Sequence, residues 1–184
     1  MPGRAPSRCF SGQRIVDEGE RTACMRAALE EARRARDAGE VPVGAVVARI
    51  GESGAAEIIG RGRNRREAGN DPTAHAEVAA IREAARALGD WRLTGCTLFV
   101  TLEPCPMCAG AIVAARLDAV WYGAADPRAG CCGSLYRITE DPAFLYTVPA
   151  YGDLLAGECA ALLKDFFAAR RVTSHSYENE QGRA

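Results

Sequence analysis

Apolar residues recur at helical spacing in three stretches of the chain, with short β-branched runs between them. Met25, Leu29, Ala32 and Ala35 follow one another on one face until Gly39, while arginines and glutamates take the other face. This pattern predicts an amphipathic first helix with Thr22 as its N-cap. Residues 43–50 are rich in β-branched side chains, and the turn 51–54 separates them from a second short run, 56–60. That arrangement predicts an antiparallel hairpin. A polar, arginine-rich loop over 61–70 leads into Asp71-Pro72, after which Ala74, Val78, Ile81, Ala85 and Leu88 trace a second helix. His75 and Glu77 fall in its first turn.

Residues 96–101 read as a buried strand, 105–115 as a short helix opened by proline, and 119–123 as another strand. A strand, helix and strand in that order form a crossover, so these two strands are expected to be parallel. A glycine-rich loop over 124–133 precedes a possible fifth strand near 146–149. Leu155, Cys159, Leu162 and Phe166 then stripe a last helix. The expected fold is a three-layer α/β/α domain, a mixed five-stranded sheet with helices on both faces. Its expected limits are 21–172, between a flexible N-terminal tail (1–20) and a polar, flexible C-terminal tail (173–184).

Composition narrows the function classes. The chain has 184 residues, 48% of them hydrophobic and 26% charged, which suits one globular domain with a sizeable core. No segment reaches the roughly 18 apolar residues of a membrane span, and the first 16 residues lack the apolar stretch of a secretory signal. Arg4, Arg8 and Arg14 give that leader only a faint transit-peptide character. A cytoplasmic protein is therefore expected. With a formal net charge of −1, any nucleic-acid site must be a local patch. Eight cysteines without an export signal are expected to be reduced, which turns attention to metal binding.

Cys105 and Cys108 lie three apart at the start of a helix, where their side chains share a face and can grip one ion. The chain has two histidines, and His175 sits in the polar tail, so His75 is the expected third ligand. Three protein ligands leave one tetrahedral position for water, the arrangement of a catalytic zinc. Zinc can lower the pKa of bound water from about 15.7 to about 7, making hydroxide available at neutral pH. Glu77, two residues past His75, is then placed to act as general base and afterwards general acid without itself ligating. A closed structural site with a fourth ligand from Cys96, Cys131 or Cys132 is the competing reading, and it would leave Glu77 idle.

His75-Ala76-Glu77 and Pro104-Cys105-Pro106-Met107-Cys108 match the signature of zinc nucleobase deaminases. Beyond it, residues 71–77, Thr101-Leu102-Glu103-Pro104-Cys105, Cys108-Ala109-Gly110-Ala111 and residues 158–163 resemble bacterial tRNA-specific adenosine deaminases, a likeness spanning about 22–171. The resemblance implies a cytidine deaminase-like fold, one Zn²⁺ per chain and a homodimer. It also implies conversion of adenosine to inosine at the wobble position of the tRNA anticodon stem-loop, with Asn64 and Ala76 at the substrate nucleotide.

Arg61, Arg63, Arg65 and Arg66 flank Asn64 and could meet phosphates beside a flipped base, or simply solvate a loop. Arg170 and Arg171 are further candidates for RNA contact, whereas Phe166 and Phe167 fit a core role. Glu103 is expected to hydrogen-bond nearby backbone. One departure from the family is Leu145-Tyr146, where many bacterial members carry an Asn-His pair after the phenylalanine. Two rival functions stay open: a free nucleobase deaminase acting on guanine or cytosine, and a non-catalytic zinc-containing interaction module.

Overall fold

The computed structural model describes residues 16–53 and 55–181, with side chains described through Arg171. The expectations for residues 1–15 and 182–184 lie outside it. Five strands form one sheet in the order β2-β1-β3-β4-β5. β1 (Gly44–Ile50) pairs antiparallel with both β2 (Ala56–Arg63) and β3 (Cys96–Leu102), while β4 (Ala119–Ala124) and β5 (Ala150–Tyr151) continue the sheet in parallel. The hairpin and the parallel crossover are as the sequence predicts.

Both faces of the sheet are covered. Val46, Ala48 and Phe99 point to a core shared with α1 (Glu18–Asp37) and the start of α5 (Ala156–Gln181). Ala45, Val47, Leu98 and Val100 point the other way, to α3 (Ala76–Leu88) and α4 (Pro106–Ala115). Successive strand residues face opposite sides, so strands covered on both faces are continuously apolar, as β1 and β3 are. The three-layer, mixed five-stranded architecture is thereby established.

Glycine sets how closely the helices lie. A Cβ at Gly44 would collide with the Ala28 carbonyl of α1, and one at Gly60 or Gly62 with the Ala80 or Ala76 carbonyl of α3. This close approach corrects the predicted stripe on α3. Its most buried positions are Ala76, Glu77, Ala80 and Ala84, with Ile81, Ala85 and Leu88 only partly covered. Small residues at i, i+4 and i+8 let the helix rest on the glycines of β2, and the larger apolar residues fill the flank.

Other boundaries move as well. The first helix begins at Glu18, inside the stretch expected to be a flexible tail. Asp17, not Thr22, is its N-cap, accepting from the Gly19 N–H at 2.6 Å. Glu18 and Glu20 complement the helix dipole in the first turn, and Val16 is buried beneath it. β2 runs on to Arg63, and a single helical turn, α2 (Arg66–Gly69), replaces most of the predicted loop. β5 follows Pro149, whose carbonyl accepts from Val120 N at 3.0 Å, and Tyr151 stacks on Trp121 at 4.5 Å. The last helix continues to Gln181 through part of the stretch expected to be a tail. No proline or glycine interrupts it between Gly157 and Gly182. Phe166 is buried as expected, whereas Phe167, also expected in the core, is exposed and meets Phe166 edge-on at 5.5 Å.

Candidate metal centre and active site

Two helix N-termini meet at the site. His75 is the N-cap of α3, in extended backbone, with Glu77 in its first turn; Cys105 is the N-cap of α4, followed by Pro106 and then Cys108. The proline presets the first helical dihedral and gives up no needed hydrogen bond. β3 delivers Cys105, and the turn after α2 delivers His75, so ligands 30 and 33 residues apart converge.

His75 Nδ1 lies 3.7 Å from Cys105 Sγ and 3.5 Å from Cys108 Sγ, and the three donor atoms all fall within 4.8 Å of one another. Zinc bonds of about 2.3 Å to sulfur and about 2.0 Å to nitrogen, at tetrahedral angles, place S and N roughly 3.6 Å apart. The donor set therefore fits one zinc ion in both chemistry and size. No other cysteine joins it among the described residues. Cys96, Cys131 and Cys132 are buried free thiols, which removes the described candidates for a fourth ligand.

The local electrostatics favour a cation. A hydrogen bond from Cys108, with help from His75, pulls the Cys105 thiol down to about 4, while the same bond and burial push Cys108 upward. The hydrogen bond to Cys105 raises His75. One sulfur thus carries negative charge beside a proton-rich partner, the state that a metal would replace. Glu77 is buried and outside the ligand set, and burial raises its carboxyl above the ordinary range.

A cavity of about 170 Å³ opens onto these groups. Val41, Val43 and Leu102 give it an apolar wall, and Asn64, Arg66 and Glu77 bring polar atoms. Residues 19–124 match the family model of the cytidine and deoxycytidylate deaminase zinc-binding region. The chain belongs to this zinc-binding deaminase family. It is 46% identical over 147 residues to the tRNA-specific adenosine deaminase of Bacillus subtilis (strain 168), covering 80% of this chain and 88% of that one. A solved structure from work on A-to-I editing by tRNA:A34 deaminases at the wobble position of transfer RNA superposes with a TM-score of 0.71. It is 45% identical and covers 77% of this chain and 99% of its own. Guanine deaminase from Bacillus subtilis is 44% identical with a TM-score of 0.51, over 56% of this chain and 63% of that one.

Within this deaminase fold the expected substrate residues separate. Asn64 and Arg66 line the cavity, although Arg66 also donates to Glu67 at 2.9 Å. Arg63 and Arg65 do not; they face a different groove, because alternate residues at the end of a strand point to opposite sides. Ala76 is fully buried under β2, so only its backbone N–H, unpaired at a helix start, could meet a ligand. Leu145 is exposed, and Tyr146 lies 4.0 Å under the Arg116 guanidinium.

Two carboxylates organise the surroundings. Glu103 accepts from the N–H groups of Asp126, Cys132 and Ser134 at 2.9–3.1 Å, and from the Ser134 hydroxyl. This fixes the loop bearing Asp126 and Ala129 of the cavity wall. Cys132 is held there by its backbone N–H, and Cys131 N donates separately to the Pro104 carbonyl at 2.8 Å. Glu40, 1% exposed, holds Asn64 and Ala68. Sequence reasoning missed it; its only signal was an acid three residues ahead of the β-branched run.

Proposed function

We propose that this protein deaminates adenosine to inosine in tRNA, at the wobble position of the anticodon stem-loop. Adenosine and water give inosine and ammonia. His75, Cys105 and Cys108 would hold the zinc, which would supply Lewis acidity to make the attacking water more acidic. Glu77 accepts a proton from the attacking water and delivers it to the purine ring as C6 is attacked. It then takes the proton of the new C6 hydroxyl and passes it to the departing amine, so that inosine and ammonia leave. Its burial beside Cys108 keeps water from competing for that proton, and Asn64 and Arg66 orient the base and its flanking phosphate.

The observation that carries the reading is the closure of His75, Cys105 and Cys108 into a zinc-sized set with Glu77 beside but outside it. Similarity at 46% identity along 88% of a tRNA-specific adenosine deaminase supports RNA over a free base, whereas similarity at comparable identity to the Bacillus subtilis guanine deaminase covers 56% of this chain. Exposed Leu135, Tyr136, Phe144 and Leu145 offer an apolar surface for a homodimer. No helix among the described residues is long and apolar enough to cross a membrane, and we place the enzyme in the cytoplasm with its substrate.

Nucleoside analysis of tRNA incubated with the purified protein tests this: inosine is expected at the wobble position, with little ammonia from guanine, cytosine or cytidine. Turnover of a free base with no inosine in tRNA would overturn it.

A further inference from the structure

β2 is the edge strand of the sheet, and a groove of about 440 Å³ runs along it between α1 and α3. Six guanidinium groups line the groove: Arg34 of α1, Arg61 and Arg63 of β2, Arg65 just after it, and Arg82 and Arg86 of α3. Glu31 and Glu83 are the acids among them, so the groove carries a local excess of four positive charges in a chain of net charge −1.

The buried Glu31 carboxylate is shared by Arg34 at 2.9 Å, Arg63 at 3.8 Å and Arg61 at 3.9 Å. One acid therefore fixes three guanidinia in place without neutralising them. Arg65, Arg82 and Arg86 form no close ion pair among the described residues, and Arg82 feels Asp71 only at longer range. Cations on an edge strand can serve merely to prevent edge-to-edge pairing. That purpose explains Arg61 and Arg63. It does not explain Arg82 and Arg86, one helical turn apart on α3, where like charges repel and Glu83 is the acid beside them in the groove. The groove is also joined to the active site through the backbone, since 61, 63 and 65 face it while 64 and 66 face the cavity.

We propose that this groove binds the sugar-phosphate backbone of the RNA whose adenosine enters the cavity. Glu31 pre-organises one rank of guanidinia, and Arg82 and Arg86 supply a second across the strand edge. The proposal rests on the tRNA reading above and extends the RNA-binding surface from the cavity mouth to α1 and α3.

The test is Arg82→Gln with Arg86→Gln, exposed changes on a helix surface. The control, Arg33→Gln with Arg49→Gln, removes equal charge from pairs with Glu30 and Glu57 outside the groove. Binding of tRNA is measured across a salt series, and inosine formation at saturating tRNA. Each arginine–phosphate pair removed is expected to flatten the log-affinity against log-salt slope by about 0.7 to 0.9, hence about 1.4 to 1.8 for the double variant, with kcat retained and KM raised. The control should keep the wild-type slope. Identical slopes for wild type and the groove variant would overturn the proposal, as would equal flattening in the control. Failure of wild type to form inosine would overturn the assigned reaction alone, because the slopes are read from binding.

Discussion

The side-chain amide of Asn64 donates to Oε2 of Glu40 at 3.2 Å, while Oε1 of the same carboxyl accepts from Ala68 N at 2.8 Å. A carboxyl buried 24 residues upstream thus fixes both the residue that lines the cavity and the helical turn that carries Arg66. With Nδ2 donating to Glu40, Oδ1 of Asn64 is left as the acceptor that, on the function proposed above, would meet the base. Glu40→Gln turns one accepting oxygen into a donor facing another donor, so a loss of about 1–3 kcal/mol in unfolding free energy is expected. KM for tRNA should rise more than kcat falls. Denaturant unfolding and steady-state kinetics check both, and unchanged kinetics would confine Glu40 to structure.

Zinc content and catalysis should separate. His75→Ala, Cys105→Ser and Cys108→Ser are each expected to reduce metal from one per chain toward none, because two remaining donors cannot close the set. Glu77→Gln keeps the donors and should keep the zinc, while slowing deamination by at least about 10²–10⁴-fold. Metal analysis beside single-turnover rates reads the split. Near wild-type rates in Glu77→Gln would remove it from proton transfer.

The metal donors and Glu77 are legible in the sequence because the chemistry lies in local spacing: a two-residue step at one helix start and a three-residue step at another. The sheet is legible because β1 and β3 are apolar on both faces and the crossover dictates direction. Glu40 is not, since its partners are set by how the chain returns after β2. Arg61, Arg63 and Arg65 read as one loop, yet β2 extends to Arg63 and divides the arginine cluster between cavity and groove. The buried face of α3 is hidden for a similar reason. Which side is covered depends on the glycines of β2 accepting alanine, a pairing that hydrophobicity alone does not reveal.

Cysteine reactivity should report the metal. Cys105 is the one described cysteine that is not buried, and without metal its thiol is pulled down to about 4. Burial pushes Cys24, Cys96 and Cys159 up to about 11 and Cys132 to about 12, so these thiols are both hidden and protonated. In a Cys9→Ser background, iodoacetamide is expected to modify Cys105 first after chelation and to leave it intact in the zinc-loaded protein. Peptide mass spectrometry resolves the order. Early modification of Cys131 or Cys132 would mean that the loop held by Glu103 opens before the metal site does.

Gly62 connects packing to the metal centre. Its α-carbon lies so close to α3 that an added methyl would overlap the backbone carbonyl of Ala76 and crowd the Ala80 N–H. Backbone atoms cannot swing aside as a side chain can, so Gly62→Ala must push the first turn of α3 away from β2. That turn carries Glu77 and follows His75 directly. Overpacking of this kind typically costs about 1–3 kcal/mol, and a donor set built to tetrahedral zinc distances tolerates little displacement of His75. Gly62→Ala should therefore lower stability and weaken zinc affinity together. Gly110→Ala, on the open side of α4 with nothing within reach of its new methyl, should do neither. Thermal unfolding and competition with a chelator measure the two effects. Lost stability with unaltered zinc affinity would show that the α3 start moves as a unit with α4, and that β2 does not set the position of His75.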